Sequence, residues 1–254
     1  MNVGQNQAMF AGRYPSYHKD FPLILYWTHK CGCTVLNKWF FYQIGLLDQA
    51  LRYHPWIHRF RERYCSEPDY LANLMKDYQH KESVKLVRNP YTRAVSSFLH
   101  AVKTGCCHWP EMIDFYQKNG ISFKQFLHYV RHRQQNRSEL EWHIHQQCKP
   151  EEKAFISRYI YLENLQTELR QLEKQYALKH APTHQLFQSN HHNVKGNKVI
   201  DLAARALNAK HYQERIRPQN PSYRSFYDEE NMQLVQEIFQ IDFDICNYSK
   251  ELVI

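Results

Sequence analysis

The stretch Leu23-Ile-Leu-Tyr-Trp-Thr-His-Lys-Cys-Gly-Cys-Thr34, continued by Val35-Leu-Asn-Lys-Trp-Phe-Phe-Tyr42, constrains this chain more than any other. Its first residues are apolar and β-favouring, which predicts a strand over Leu23–Trp27. A short loop holding Lys30 and Gly32 follows. From Thr34 onward Leu36, Phe40, Ile44, Leu47 and Leu51 recur at three- and four-residue steps, with no proline before Pro55, which predicts one long buried helix. The order is therefore strand, loop, helix.

Amides in the first turn of a helix lack intrahelical partners and carry the positive end of the macrodipole, so such a junction attracts anions. Gly32 lets the backbone approach closely, Lys30 adds a point charge, and the Thr34 hydroxyl serves as N-cap or phosphate donor. The same residues also suit an ordinary strand-to-helix turn with a solvated lysine. The loop lacks the Gly-x-x-x-x-Gly-Lys-Ser/Thr order of nucleoside triphosphatases, which argues against a standard ATP loop.

A second junction of this kind lies at Ser83-Val-Lys-Leu-Val-Arg-Asn-Pro-Tyr-Thr-Arg-Ala-Val-Ser-Ser-Phe-Leu99. Residues 84–87 are strand-like, Asn89-Pro90 breaks them, and Val95, Phe98, Leu99 and Val102 form a helical stripe. Arg88, Arg93, Ser96 and Ser97 stand at the junction, and arginine suits bidentate contact with phosphate. A surface arginine pair beside a plain turn is the alternative. Both loops fall at the carboxyl end of a predicted strand, where open α/β sheets bind ligands. A ligand with two separate phosphates would suit both.

The surroundings fit that chemistry. Thirty-three basic residues against 25 acidic give a net charge of +8, with 16 histidines besides, so anionic partners are favoured. Residues 1–20 are polar and hold Gly12 and Pro15, which reads as a loosely ordered lead-in to a single domain over 21–254. No run of apolar residues is long enough to span a bilayer, and the N-terminus lacks the basic-then-apolar order of a secretory signal, so a cytoplasmic location is expected. The seven cysteines are odd in number and form no Cys-x-x-Cys pair, so reduced thiols are expected, with neither a disulfide framework nor a structural zinc site.

Lys30-Cys-Gly-Cys-Thr34 resembles the Pro-Lys-x-Gly-Cys-Thr loop of the PAPS-dependent sulfotransferases, which holds the 5′-phosphosulfate of 3′-phosphoadenosine 5′-phosphosulfate (PAPS). Arg88-Asn-Pro-Tyr-Thr-Arg-Ala-Val-Ser96-Ser-Phe98 resembles their 3′-phosphate motif, Arg-Asp-Pro-x-x-Arg-x-x-Ser-x-Phe. The likeness is nearest to the membrane-type carbohydrate sulfotransferases, including the chondroitin 4-O group. It continues through Tyr161-Leu-Glu-Asn-Leu165 and through Phe226 to Tyr248, in order, over residues 21–248. Three positions depart from the pattern: His29 replaces a proline, Leu162 stands where many relatives carry tyrosine, and Cys246 replaces an aromatic residue.

The resemblance implies a P-loop-like three-layer α/β fold, with a mostly parallel central sheet flanked by helices, and transfer of a sulfuryl group from PAPS to a hydroxyl or amine. It implies that Lys30 sits at the bridging oxygen, that the amides of Gly32, Cys33 and Thr34 with the Thr34 hydroxyl hold the 5′-phosphate, and that Arg88 and Ser96 hold the 3′-phosphate. Relatives place a general base a few turns beyond the lysine, which points to His58 or His54, with Glu62 a further option. The mixed stretch 54–64 that holds them reads as a helix end and surface segment.

Glu141-Trp-His-Ile-His-Gln-Gln-Cys148 resembles the family segment before the Glu-Asn-Leu strand, which makes His143 and His145 candidates for acceptor contact. On a strand the two rings would share a face, but no companion cluster completes a metal site, so no metal is expected. The acceptor is expected to be a saccharide or small metabolite, without nucleic acid or a membrane span. Further along, Ser122 is expected to cap a helix with Phe123, Phe126, Leu127 and Val130 on one face. A strand over 157–162 is followed by a helix with Leu165, Leu169, Leu172 and Tyr176, and Asp228 caps a last helix. Residues 189–198 read as a polar loop. Two other functions remain open. A nucleotide kinase would need magnesium-binding carboxylates beside the loops. A non-enzymatic basic module for RNA or acidic polysaccharide would survive loss of Lys30.

Overall fold

A computed structural model of the protein describes residues 14–104, 121–138, 140–187 and 222–253. Cys106, Cys107 and the 189–198 segment lie outside these residues. The chain divides into two compact units, Met1–Val87 with Glu151–Ser189, and Arg88–Pro150 with Asn190–Ile254.

The first unit is mixed α/β. Its strands β1 (Leu23–Trp27), β2 (Glu82–Val87) and β3 (Arg158–Tyr161) form a parallel sheet in the order β1-β2-β3. Leu25 is opposite Val84, and Leu86 is opposite Ile160. Burial of Leu23, Ile24, Leu25, Val84, Leu86, Val87 and Ile160 explains why these strands read as apolar runs instead of alternating ones. Lys85 is the exception in β2, buried and paired with Glu152.

Helices α1 (Cys33–Gln43), α2 (Leu47–Tyr53), α3 (Ile57–Cys65), α4 (Tyr70–Asp77), α7 (Leu165–Gln175) and the short α8 (Thr183–Leu186) flank the sheet. Leu36, Trp39, Phe40 and Phe41 of α1 join Leu25, Val84, Ile160, Leu165, Leu169 and Leu172 in one core. The lead-in expected over 1–20 is corrected at its end. Ser16 exchanges backbone hydrogen bonds with Leu25 at 2.8 and 3.0 Å and so covers the edge of β1, while Tyr17 is buried.

The single helix expected after the first loop is also corrected. Gly45 takes φ 75°, its N–H reaches the Tyr42 carbonyl at 3.1 Å, and the Leu46 N–H reaches that of Phe41 at 2.8 Å. These are the paired bonds of a left-handed helix stop, so α1 ends at Gln43 and α2 starts afresh. The 54–64 stretch is exposed and non-helical over 54–56, as a surface segment would be, but from Ile57 it is a helix with a buried face. Ile57, His58, Phe60 and Arg61 of α3 face inward, while Arg59 and Glu62 pair at 3.2 Å on the outer side.

The second unit is helical in its described part. It contains α5 (Pro90–Thr104), α6 (Phe123–Gln135), α9 (Glu229–Ile238) and α10 (Gln240–Cys246). Tyr91, Val95, Phe98, Phe123, Phe126, Phe226, Phe239 and Phe243 build its core. Ser122 caps α6 through the Gln125 N–H at 3.2 Å in a reciprocal capping box, and Asp228 caps α9 through the Asn231 N–H at 2.7 Å. The last helix is two, α9 and α10, joined at Phe239. Among the described residues no helix is long and apolar enough to cross a membrane.

Candidate active site

In the first unit, β1 ends at Trp27 and delivers a loop whose backbone is unusual at two positions. Lys30 holds φ 67° and Gly32 holds φ 85°. Left-handed backbone at a non-glycine residue costs on the order of 1–3 kcal/mol and persists only where its surroundings enforce it. At Gly32 the near neighbour is Leu162, just after β3: a Cβ built there would lie 2.5 Å from Leu162 Cδ1. Glycine is thus favoured at 32 by its φ, and any larger residue would in addition have to displace the Leu162 side chain. The sequence showed Leu162 only as a departure from a motif, and its apposition to Gly32 has no local signature.

The loop opens α1 without the side-chain cap that α6 and α9 have, and without the acidic first turn of α9. The positive end of the α1 dipole is therefore bordered by Lys30, half-buried like Gly32, Cys33 and Thr34. Asn37 lies one turn further, where its side chain donates to the Cys33 carbonyl at 2.7 Å and accepts from the Ser16 hydroxyl at 2.8 Å. That pair of bonds ties the first turn of α1 to the strand edge.

His58, on the inner face of α3, reaches this turn. Its Nε2 lies 3.5 Å from both the Thr34 Oγ1, at the outer limit of hydrogen bonding, and the Cys33 Sγ, within the longer reach of sulfur. The ring is 8% exposed and packs against Trp27 and Trp56 at centroid distances of 5.2 and 5.3 Å. Arg61, one turn on, lays its guanidinium 4.9 Å from the Trp27 ring and donates to the Tyr14 carbonyl. His54 is exposed, and its Nδ1 accepts the Trp56 N–H at 2.9 Å, which makes it a turn residue at the start of α3. Glu62 is exposed and engaged with Arg59. Of the three base candidates, His58 is brought to the loop.

In the second unit, Arg88 and Asn89 lead into α5. The Asn89 side chain accepts the Tyr91 N–H at 2.9 Å, and Pro90 takes the first helical position, where its missing N–H costs nothing. Four-residue spacing places Arg88, Thr92 and Ser96 on one stripe. Arg88 Nε donates to Thr92 Oγ1 at 2.9 Å, its guanidinium lies 5.4 Å from the Tyr223 ring, and Ser96 is half-buried on the next turn.

The other two polar residues of this junction turn inward. Arg93 is buried with its Nη1 4.0 Å from Asp242, and the Ser97 hydroxyl donates to the His143 carbonyl at 2.6 Å. Both are structural members of the unit.

What holds Arg88 in place is Gln147, whose side chain accepts the Arg88 N–H at 2.9 Å and donates to the Arg88 carbonyl at 2.7 Å. Gln147 is 1% exposed, and its own N–H, with that of Cys148, is taken by the two oxygens of the buried Asp242 at 3.0 and 2.9 Å. Neither Gln147 nor Asp242 carries a sequence signal for this role, because each acts on a partner about 60 or 95 positions away.

The 141–148 segment is built of turns, without strand. Glu141 accepts both the His143 backbone N–H at 2.8 Å and a contact from its Nδ1 at 2.6 Å, and the His143 ring stacks 3.9 Å from that of His100. Burial pushes the Glu141 carboxyl up, yet the hydrogen bonds from His143 prevail and hold it below the usual carboxylate range. His145 is exposed, 5.9 Å from the Trp142 ring. Among the described residues no group of three or more His, Cys, Asp or Glu is arranged for a metal ion.

Residues 17–249, nearly the whole chain, match the family model described as the sulfotransferase family. No curated protein and no solved structure matches the chain.

Proposed function

We propose that this chain, which belongs to the sulfotransferase family, takes its sulfuryl group from PAPS and passes it to a saccharide hydroxyl. Sulfuryl transfer follows from the family. The observation that carries it is the uncapped N-terminus of α1, bordered by Lys30 and approached by His58.

The donor's chemistry is an activated S–O bond to a phosphate leaving group. The parts of the loop suit that chemistry. The amides of Gly32, Cys33 and Thr34, with the Thr34 hydroxyl, hold the 5′-phosphate, where the helix dipole favours an anion. Lys30 faces the bridging oxygen and neutralises charge as the S–O bond breaks. Its left-handed backbone fixes the direction in which the side chain leaves the loop, so little reorganisation accompanies the reaction. His58 Nε2 accepts the acceptor proton as the acceptor oxygen bonds to sulfur. Trp27 and Trp56 fix the ring for that task. Arg88 and Ser96 bind the 3′-phosphate, the group that separates this donor from ATP, and Gln147 positions Arg88 for it.

A kinase reading finds less support. The first turns of α1 and α5 contain no acidic residue to bring a magnesium ion to the phosphates. The acceptor choice rests on the carbohydrate-type motif resemblance and on the +8 charge, which favours anionic glycans. His143 and the exposed His145 with Trp142 are the acceptor contacts proposed in the second unit.

The direct test is transfer of label from ³⁵S-PAPS into a panel of saccharides and small hydroxyl compounds. Incorporation into a saccharide that His58→Ala reduces by about 10²-fold or more is the expected result. Labelling of amines or non-saccharide alcohols alone would overturn the acceptor class. Undiminished turnover in His58→Ala would remove the base assignment.

A further inference from the structure

We propose that Cys148 and Cys246 are a site of intramolecular disulfide formation, which fastens the segment carrying Gln147 to α10. Their sulfurs lie 2.8 Å apart, with Cys148 0% and Cys246 1% exposed. Unbonded heavy atoms rest comfortably at roughly 3.5–4.0 Å, and sulfur is larger than carbon, so two separate thiols are crowded at this distance. A disulfide needs the sulfurs at about 2.05 Å, an approach within reach of small side-chain rotations.

Other cysteines are placed differently. Cys31 Sγ lies 3.7 Å from the His29 carbonyl, Cys33 Sγ lies 3.5 Å from His58, and burial pushes the Cys65 thiol up. Both members of the proposed pair belong to the second unit and stand outside the assigned chemistry.

The backbone around the pair is already organised for the bond. Asp242, one turn before Cys246 on α10, accepts the N–H groups of Gln147 and Cys148, so the two chain segments are held together independently of the sulfurs. The bond would add a covalent tie beside the residue that grips both backbone groups of Arg88. The oxidant is a low-molecular-weight disulfide. The thiolate of one cysteine attacks it, forming a mixed disulfide and expelling one thiolate. The second cysteine then attacks the protein sulfur of that mixed disulfide and expels the other. Two protein S–H bonds are replaced by one S–S bond, and the external disulfide is reduced to two thiols.

The full chain, incubated with oxidised glutathione, is acid-quenched, alkylated in denaturant and mapped by peptide mass. A second sample is refolded from denaturant in a glutathione redox buffer, so that burial of the native thiols does not limit access. The expected result is a cross-linked peptide joining Cys148 to Cys246 as the main disulfide, with a Tm raised by about 5 °C or more. Reductant reverses the rise, and Cys246→Ser abolishes it. Alkylation of both residues in both samples, or a predominance of other cysteine pairs, overturns the proposal. No nucleotide enters the measurement, so it stands or falls separately from the donor assignment.

Discussion

The Lys30 loop and the Arg88 loop are both short links from a strand to a helix, and they are built on opposite plans. The first stores its specificity in the backbone: Lys30 and Gly32 adopt left-handed φ, Leu162 closes on the glycine, and α1 opens without a side-chain cap. The second keeps an ordinary backbone and locks it with side chains. Asn89 caps α5, Pro90 starts it, and Gln147 clasps the Arg88 peptide groups from a segment anchored on Asp242. An uncapped set of amides suits a group whose charge grows during the reaction, whereas a held guanidinium suits a phosphate that does not change. On the proposed reading, turnover falls to the first loop and recognition to the second.

Four substitutions or conditions would break or sharpen this division. Lys30→Ala should lower kcat by about 10²–10³-fold, the scale seen when one transition-state donor is removed. Its affinity for PAP, the desulfated donor, should stay within a few-fold, as single-turnover and binding titrations would reveal. Near-normal turnover would dissolve the contrast between the loops. Arg88→Ala should act the other way, weakening PAP by about 10- to 100-fold, equivalent to the roughly 1.5–3 kcal/mol of a charge-assisted hydrogen bond, with a smaller change in kcat at saturation. A kcat collapse with unchanged PAP affinity would reverse the assignment.

Gly32→Ala probes the backbone plan. The left-handed φ alone should cost about 1–2 kcal/mol in denaturant melts. In a Leu162→Ala background the Cβ encounter is relieved and the φ cost persists. If the second substitution restored full stability, the close approach and not the backbone conformation would be the determinant.

The smallest effect concerns acid. Because the folded-state pKa of Glu141 lies below its unfolded value, the carboxylate stabilises the fold above the ordinary glutamate pKa of about 4.3, and that contribution is lost as pH falls through the folded value. Glu141→Gln should therefore flatten the pH dependence of stability below about pH 4.5 and leave it unchanged near neutrality. An equal loss at pH 7 and pH 4 would assign Glu141 a purely packing role.

The parts of this architecture that a local pattern governs were legible in the sequence. Strands β1 and β2, the capped helix α6 and the apolar face of α7 follow from short-range periodicity and capping. Both loops were visible because glycine, proline and the strand-to-helix change are local signals. The break at Gly45 is equally local, but the apolar spacing runs on through it, and the pattern outweighed the glycine. What could not be read is what acts at long range. The inward turn of Arg93 depends on Asp242, the grip on Arg88 depends on Gln147, and the burial of His58 depends on Trp27 and Trp56. In a sequence these residues look like ordinary polar positions, so Arg88 and Arg93 seem alike until their partners separate them.

The claim that this sulfotransferase uses a donor with both a 5′- and a 3′-phosphate is tested most directly by thermal melting with nucleotides. PAP at about 100 times its Kd should stabilise the native chain by about 2.7 kcal/mol, with a clear rise in Tm, while ATP with Mg²⁺ at the same concentration leaves the melt unchanged. Absence of a shift with PAP, or an equal shift with ATP, would contradict the account.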